Sequence, residues 1–238
     1  MSILKLDNVS YRYSDAKKDE YVFKDISYDF ELGKSYAIRG KSGSGKTTLL
    51  SLISGLETKY EGNITYNNKN LKKQDLDKYR NTYIGIVFQS YNLLPHLTAA
   101  ENIILSMEIS GLKIDNKREK AIELMKSVGL DESLADRRVL KLSGGEQQRI
   151  AIARSLSYNP KIIIADEPTG NLDKETEDEI LEIFDRLSHK ENKCVIIVTH
   201  SKNVCDSVDY VYEIKKEDDK YKKNKKEGLK KKRKDDNK

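Results

Sequence analysis

Three short stretches of the chain carry residue types at spacings suited to phosphate chemistry. Gly40-Lys41-Ser42-Gly43-Ser44-Gly45-Lys46-Thr47 satisfies the pattern GxxxxGK[ST] in full. Glycines let the backbone turn so tightly that successive N–H groups converge on a phosphate, and a helix opening at the end of the loop adds its N-terminal dipole. In that arrangement Lys46 reaches the β- and γ-phosphates and the Thr47 hydroxyl ligates Mg²⁺. Average composition produces the pattern by chance in about one chain of this length in a hundred. The second stretch, Ile162-Ile163-Ile164-Ala165-Asp166-Glu167, is an apolar run ending in two adjacent acids. A buried strand would deliver Asp166 to the carboxyl edge of a sheet, where it can hold the Mg²⁺ of a bound nucleotide. Glu167 then stands where it can take a proton from an attacking water. Taken alone, the acid pair fits ordinary helix capping as well as catalysis; the upstream loop decides for catalysis. The third stretch, Leu142-Ser143-Gly144-Gly145-Glu146-Gln147-Gln148-Arg149, reads as a turn opening a helix, a second candidate anion site.

Hydrophobic periodicity supplies the elements that must position these groups. Alternation from Ile3 to Tyr13 predicts a strand, with further strands at Tyr21–Phe30, Ser35–Arg39 and Ile84–Phe88. A helix is predicted from near Lys46 to near Gly55. Helical spacing dominates from about residue 90 to 159, most clearly at Thr98–Ser110, Asn116–Val128 and Gly144–Ser157, and Pro160 stops the last of these. Lys161–Ala165 and Lys193–Thr199 are continuous apolar runs of the kind buried on both faces of a mostly parallel sheet. The segment Lys174–Lys190 between them is helical, so the three form a strand–helix–strand unit of an α/β fold.

Composition narrows the class. Of 238 residues 35% are charged, and the formal net charge is +5. The surplus is local: residues 215–238 hold 13 Lys/Arg against 6 Asp/Glu, leaving 31 and 33 for residues 1–214. The basic segment is too poor in apolar side chains to offset the entropy of ordering and is expected to be disordered. It is either a solvated tail or a weak tether to anionic lipid. With hardly any interleaved aromatics it does not read as a nucleic-acid binder, and its deletion is expected to leave the chemistry intact. No apolar run approaches the ~20 residues of a membrane span. The start of the chain lacks the apolar region of a secretory signal. Two cysteines, Cys194 and Cys205, give no disulfide framework; Cys194 reads as a small core residue. His96 and His189 read as surface histidines.

The string LSGGEQQR resembles the signature of the ATP-binding-cassette (ABC) ATPases, and the other motifs fall into that family's order along residues 1–214. The resemblance implies a P-loop NTPase (RecA-like) core with a mainly parallel sheet, an antiparallel β subdomain and an inserted α-helical subdomain at about 90–159. It implies Mg-dependent ATP hydrolysis. Residue by residue, it places Gly40, Lys41, Ser42, Gly43, Ser44, Gly45, Lys46, Thr47 and Thr48 on the nucleotide, and Thr47, Gln89 and Asp166 on the metal. Glu167, His200, Gln89 and Lys46 become the catalytic group. Tyr11 and Tyr13 share a strand face, and either could stack on a base; the resemblance favours Tyr13 for adenine. Ser143, Gly144, Gly145, Glu146 and Asp173 would complete the site from a second ABC subunit packed head-to-tail. Asp166–Asp173 and Tyr91–Pro95 are similar to the MacB/LolD-type branch, and Lys193–Lys202 to Vex-type peptide exporters. That branch implies an FtsX/MacB-like integral membrane permease as partner, no nucleic acid, and a peripheral place on the cytoplasmic face of the cell membrane. An FtsE-like cassette that gates an envelope partner without transport needs the same motor, so exporter and gating roles both stand. A soluble non-transport ABC protein fits poorly, since only one cassette is present and no long heptad region interrupts it. The departures from the family pattern are Lys41 and a charged turn at Lys216–Lys220.

Overall fold

The computed structural model describes residues 2–15 and 20–214. The basic segment 215–238 and the charged turn within it lie outside the described residues. In chain order the elements are β1 (Ser2–Tyr11), β2 (Phe23–Glu31), β3 (Lys34–Arg39), α1 (Lys46–Ile53), β4 (Glu61–Tyr66), β5 (Lys69–Asn70), a short α2 (Leu76–Lys78) and β6 (Ile84–Val87). There follow α3 (Ala99–Ser110), α4 (Lys117–Ser127), α5 (Gly144–Leu156), β7 (Ile162–Asp166), α6 (Lys174–His189), β8 (Cys194–Thr199), α7 (Lys202–Ser207) and β9 (Tyr210–Glu213). They build an antiparallel sheet in the order β2-β1-β4-β5 and a parallel sheet in the order β6-β7-β8-β3-β9.

The parallel sheet divides two cores, and the strict alternation of its strands assigns each side chain. Ile38, Ile162, Ile164, Ile196 and Val198 pack with α1 and the antiparallel sheet, against Leu6, Phe30, Leu49 and Ile53. Ala37, Ile163, Ala165, Val195 and Ile197 face the helices, against Ile103, Met107, Ile150 and Phe184. Both faces of β7 and β8 are therefore dry, which is why these runs are apolar without interruption. Helix α6 presents Ile180, Ile183, Phe184 and Leu187 at helical spacing to the second core.

Strand register decides the chemistry. Arg39 on β3 pairs with Thr199 on β8, and Asp166 on β7 pairs with Val198. The loops beginning at Gly40, Glu167 and His200 thus leave three neighbouring strands at one edge. Val87 pairs with Ala165 and brings Gln89 to that same edge.

Several expectations are corrected. The first strand stops at Tyr11 rather than running on to Tyr13, and the second begins at Phe23, not Tyr21. The β4–β5 hairpin, α7 and β9 lie in segments from which the sequence pattern yields no element. His189 is not a free surface residue: its Nε2 lies 2.9 Å from Asp209 Oδ2 and its Nδ1 3.0 Å from Asp185 Oδ1. This imidazole joins the end of α6 to the turn before β9. Lys193, expected at the head of an apolar strand, is buried; its Nζ donates to Asn159 Oδ1 at 2.6 Å and to Pro160 O at 3.1 Å, and burial lowers its pKa. Cys194 is fully buried, as expected of a core residue.

Candidate functional site

The loop Gly40–Thr47 joins β3 to α1 and is shaped by two left-handed glycines, Gly43 (φ 70°) and Gly45 (φ 90°). At Gly45 a Cβ would lie 2.5 Å from Val22 Cγ1 and 2.9 Å from Phe23 Cδ1, so the loop is pressed onto the start of β2. Gly45 is also the N-cap of α1, and no side chain caps that helix. Its first N–H groups are left for a ligand, and the helix dipole favours an anion there. Lys46 lies along the loop, its Nζ donating to Gly40 O at 2.8 Å and Lys41 O at 3.3 Å. Ser44 is buried, and its N–H donates to Lys41 O at 3.1 Å. The Thr47 hydroxyl donates to Asp166 Oδ2 at 3.2 Å.

Asp166 ends β7 beside this loop. Burial raises its pKa above the usual carboxylate value, opposed by the Thr47 hydrogen bond. Glu167 follows in a left-handed conformation (φ 44°), unusual for a residue with a side chain and costing roughly 1–3 kcal/mol. The surroundings hold it there. Its N–H donates to Val198 O at 2.9 Å, and its Oε2 accepts from Thr199 Oγ1 at 3.1 Å and His200 N at 3.3 Å. Its Oε1 lies 2.7 Å from His200 Nδ1. When the carboxylate is the acceptor of this contact, Nδ1 is its donor. The Glu167 side chain is 10% exposed and the His200 ring 71%, which leaves the far side of the imidazole open.

Together these groups line a cleft of about 730 Å³, with Gln89 and Tyr13 on its walls beside Ser42, Gly43, Gly45, Lys46, Thr47, Thr48, Asp166, Glu167 and His200. Tyr13 is 51% exposed, whereas Tyr11 is 6% exposed and part of the core. The two do not share a strand face, because the strand ends between them. The rings meet edge-on at 5.3 Å, and Tyr13 Oη lies 3.1 Å from Thr48 Oγ1. Glu20, Tyr21 and Val22 also line the cleft; the sequence does not mark them as site residues, and its pattern sets Tyr21 and Val22 within a strand that begins only at Phe23.

Ser143, Gly144, Gly145, Glu146 and Asp173 stand apart from this cleft. Ser143 Oγ accepts from Glu146 N at 3.2 Å while Glu146 Oε2 accepts from Ser143 N at 2.7 Å, a reciprocal cap on α5. Thr176 abuts this turn, since a Cβ on Gly145 would lie 2.7 Å from Thr176 Cγ2. Asp173 caps α6 by accepting from Thr176 N at 3.0 Å and Thr176 Oγ1 at 2.9 Å, bonds that hold its pKa down. Arg154, a residue the sequence did not single out, donates to Tyr91 O at 2.9 Å and to Asn92 O, fixing the loop after Gln89.

The arrangement suits a polyphosphate with a hard divalent ion. The Thr47 hydroxyl and Asp166 carboxylate present adjacent oxygens on the cleft wall, hard donors of the kind that suit a divalent ion such as Mg²⁺.

Comparisons with known proteins bear on the family and the fold. The family model described as ABC transporter matches residues 23–170. The ABC transporter ATP-binding protein YclH of Bacillus subtilis (strain 168) is 48% identical over 204 residues, covering 86% of this chain and 89% of its own length. The lipoprotein-releasing system ATP-binding protein LolD of Francisella tularensis is 38% identical over 218 residues, covering 89% of this chain and 93% of its own. Among solved structures, the dimeric ABC transporter cassette MJ0796 superimposes with a TM-score of 0.81 at 37% identity, covering 89% of this chain and 94% of that one. A dimeric post-hydrolysis state of MJ0796 bound to ADP and Pi gives a TM-score of 0.82.

Proposed function

The chain belongs to the ABC transporter family as an ATP-binding subunit with ATPase activity, and from that premise we propose that it drives an exporter, with each ATP held between two copies of the chain. In this reading the N–H groups around Gly43 and Gly45 and the start of α1 bind the phosphates, with Lys41, Ser42, Ser44 and Thr48 completing the loop. Lys46 moves its ammonium from the loop carbonyls onto the β- and γ-phosphates. Thr47, Asp166 and Gln89 hold Mg²⁺, which when bound neutralises charge on the phosphate oxygens. Tyr13, exposed at the mouth of the cleft, stacks on adenine. Glu167 orients the attacking water and takes its proton, and His200 fixes the Glu167 carboxylate.

The second copy supplies Ser143, Gly144, Gly145 and Glu146 to the γ-phosphate side, with Asp173 at the same interface. The dimeric MJ0796 cassettes support this. The likeness to LolD, named for a lipoprotein-releasing system, supports export of the lipoprotein type; peptide or antimicrobial cargo and an FtsX/MacB-like permease belong to the same proposal. Residues 90–159 form the helical subdomain that passes nucleotide state from Gln89 to the permease. Among the described residues no helix is long and apolar enough to cross a membrane. In this reading the permease holds the chain, peripherally, at the cytoplasmic face.

The observation that carries this reading is Glu167, clamped by His200 and Thr199 on the cleft wall that also bears Lys46, Thr47 and Asp166. Glu167→Gln keeps the shape and removes the base. ATP turnover should fall about 10²–10⁴-fold while ATP binding by calorimetry persists. Turnover at the wild-type rate would contradict the assignment.

A further inference from the structure

Glu177 lies in the first turn of α6, outside the cleft. An acid there is favoured by the helix dipole, but the dipole does not explain where its carboxylate points. One oxygen, Oε1, accepts from Thr169 Oγ1 at 3.3 Å and from Ser201 Oγ at 3.3 Å. These two hydroxyls come from different loops. Thr169 is buried two residues beyond Glu167, where Gly170 N donates to Glu167 O at 3.2 Å. Ser201 directly follows His200, and its N–H donates to Thr199 Oγ1 at 2.9 Å; that hydroxyl in turn donates to Glu167 Oε2 at 3.1 Å.

The loops leaving β7 and β8 are thus joined twice. The inner joint is Glu167 with Thr199 and His200. The outer joint is Glu177, one layer farther from the cleft. A left-handed backbone at a non-glycine residue persists only where its surroundings over-determine it, and Glu167 is such a residue.

We propose that Glu177 is a positioning residue for ATP hydrolysis: by accepting from Thr169 and Ser201 at once, it holds the two loops at the separation that keeps Glu167 and His200 in contact. The proposal rests on the reading of Glu167 as the base. What the joint needs is an acceptor oxygen, not a charge, and a glutamine amide supplies that oxygen.

The test is steady-state ATP hydrolysis by the full chain. Glu177→Ala should lower kcat about tenfold, since small misplacements of reacting groups carry penalties of that size or more, and leave the KM for ATP within about twofold. Glu177→Gln should restore most of the loss. Thr169→Val, similar in shape but without the hydroxyl, should lower kcat in the same direction even if Glu177→Ala folds poorly. The double variant Thr169→Val/Glu177→Ala should lose little beyond Glu177→Ala alone. A role limited to the charge at the start of α6 would lower thermal stability equally in Glu177→Ala and Glu177→Gln and leave kcat alone; that result overturns the proposal. Glu167→Gln run alongside separates the two claims. Wild-type turnover there contradicts the base itself, whereas an inactive Glu167→Gln beside a fully active Glu177→Ala contradicts only the positioning role.

Discussion

Two glycine-rich turns open helices in this chain, and they are finished differently. At the start of α1, Gly45 offers no side chain, and the first N–H groups face a cleft already lined by Lys46, Thr47, Asp166 and Glu167. At the start of α5, Ser143 and Glu146 satisfy each other's backbone N–H groups, and none of Ser143–Glu146 lines the cleft. An uncapped helix end within a cleft is an anion site in the single chain. A capped end has its own polar groups occupied and must release them to a ligand brought from outside. The contrast matches the division of labour proposed above: the first turn binds within the chain, and the second acts on a partner's nucleotide.

The sharpest way to break this comparison is to put the same methyl group on each turn. Gly45→Ala forces a left-handed alanine with its Cβ against Val22, so ATP affinity should drop about 10²-fold, since such strain is worth roughly 1–3 kcal/mol. Gly145→Ala has no left-handed backbone to support and meets only the end of the Thr176 side chain. ATP affinity of the single chain should stay within about twofold of wild type, a change too small to register as a lost contact. Equal losses in calorimetric titrations would erase the distinction between the two turns.

A smaller effect concerns Asp166, whose carboxyl is raised by burial. A carboxyl with a raised folded-state pKa opposes folding above that pKa, and the penalty fades as pH falls through it. Asp166→Asn should therefore raise Tm at pH 7, with the difference closing toward pH 4, while Mg-dependent turnover is lost. A lower Tm at pH 7 would show that the carboxylate stabilises the free chain. Smaller again is Tyr13→Ala. Loss of an aromatic stacking partner worth about 0.5–1.5 kcal/mol should raise the KM for ATP roughly 2–10-fold with kcat unchanged. Tyr11→Phe should leave KM alone, because that ring belongs to the core.

The parts of the molecule legible in the sequence are those whose residues answer to one demand each. Ile162–Ala165 and Val195–Val198 are apolar because both faces of the sheet are dry, and the phosphate loop is glycine-rich because Gly43 and Gly45 are left-handed. Segments with mixed demands were hidden. The β4–β5 hairpin turns on Asn67 and Asn68, both left-handed, but only Ile64 and Tyr66 of β4 are buried, too short an alternation to stand out. In β9 the tyrosines are only half-buried, Tyr212 stacking on Tyr28 at 4.3 Å and Tyr210 on Tyr36 at 5.3 Å, so no clean apolar face marks the strand. Tyr11 and Tyr13 were not separable by the strand pattern, which ran on through both; the strand ends at Tyr11, which is buried, and Tyr13 stands exposed on the cleft wall. His189, Arg154 and Glu177 act through tertiary contacts with distant loops, and no local spacing encodes those.

The central claim is that a working site needs the first turn of one chain and the second turn of another. Lys46→Ala damages only the first, and Ser143→Arg only the second. Each variant alone should be inactive. Mixed in equal amounts they should recover about a quarter of wild-type ATP turnover, the share of intact sites when two chains pair at random in a two-fold dimer. Full activity of Ser143→Arg by itself, or no recovery on mixing two folded variants, would contradict the account.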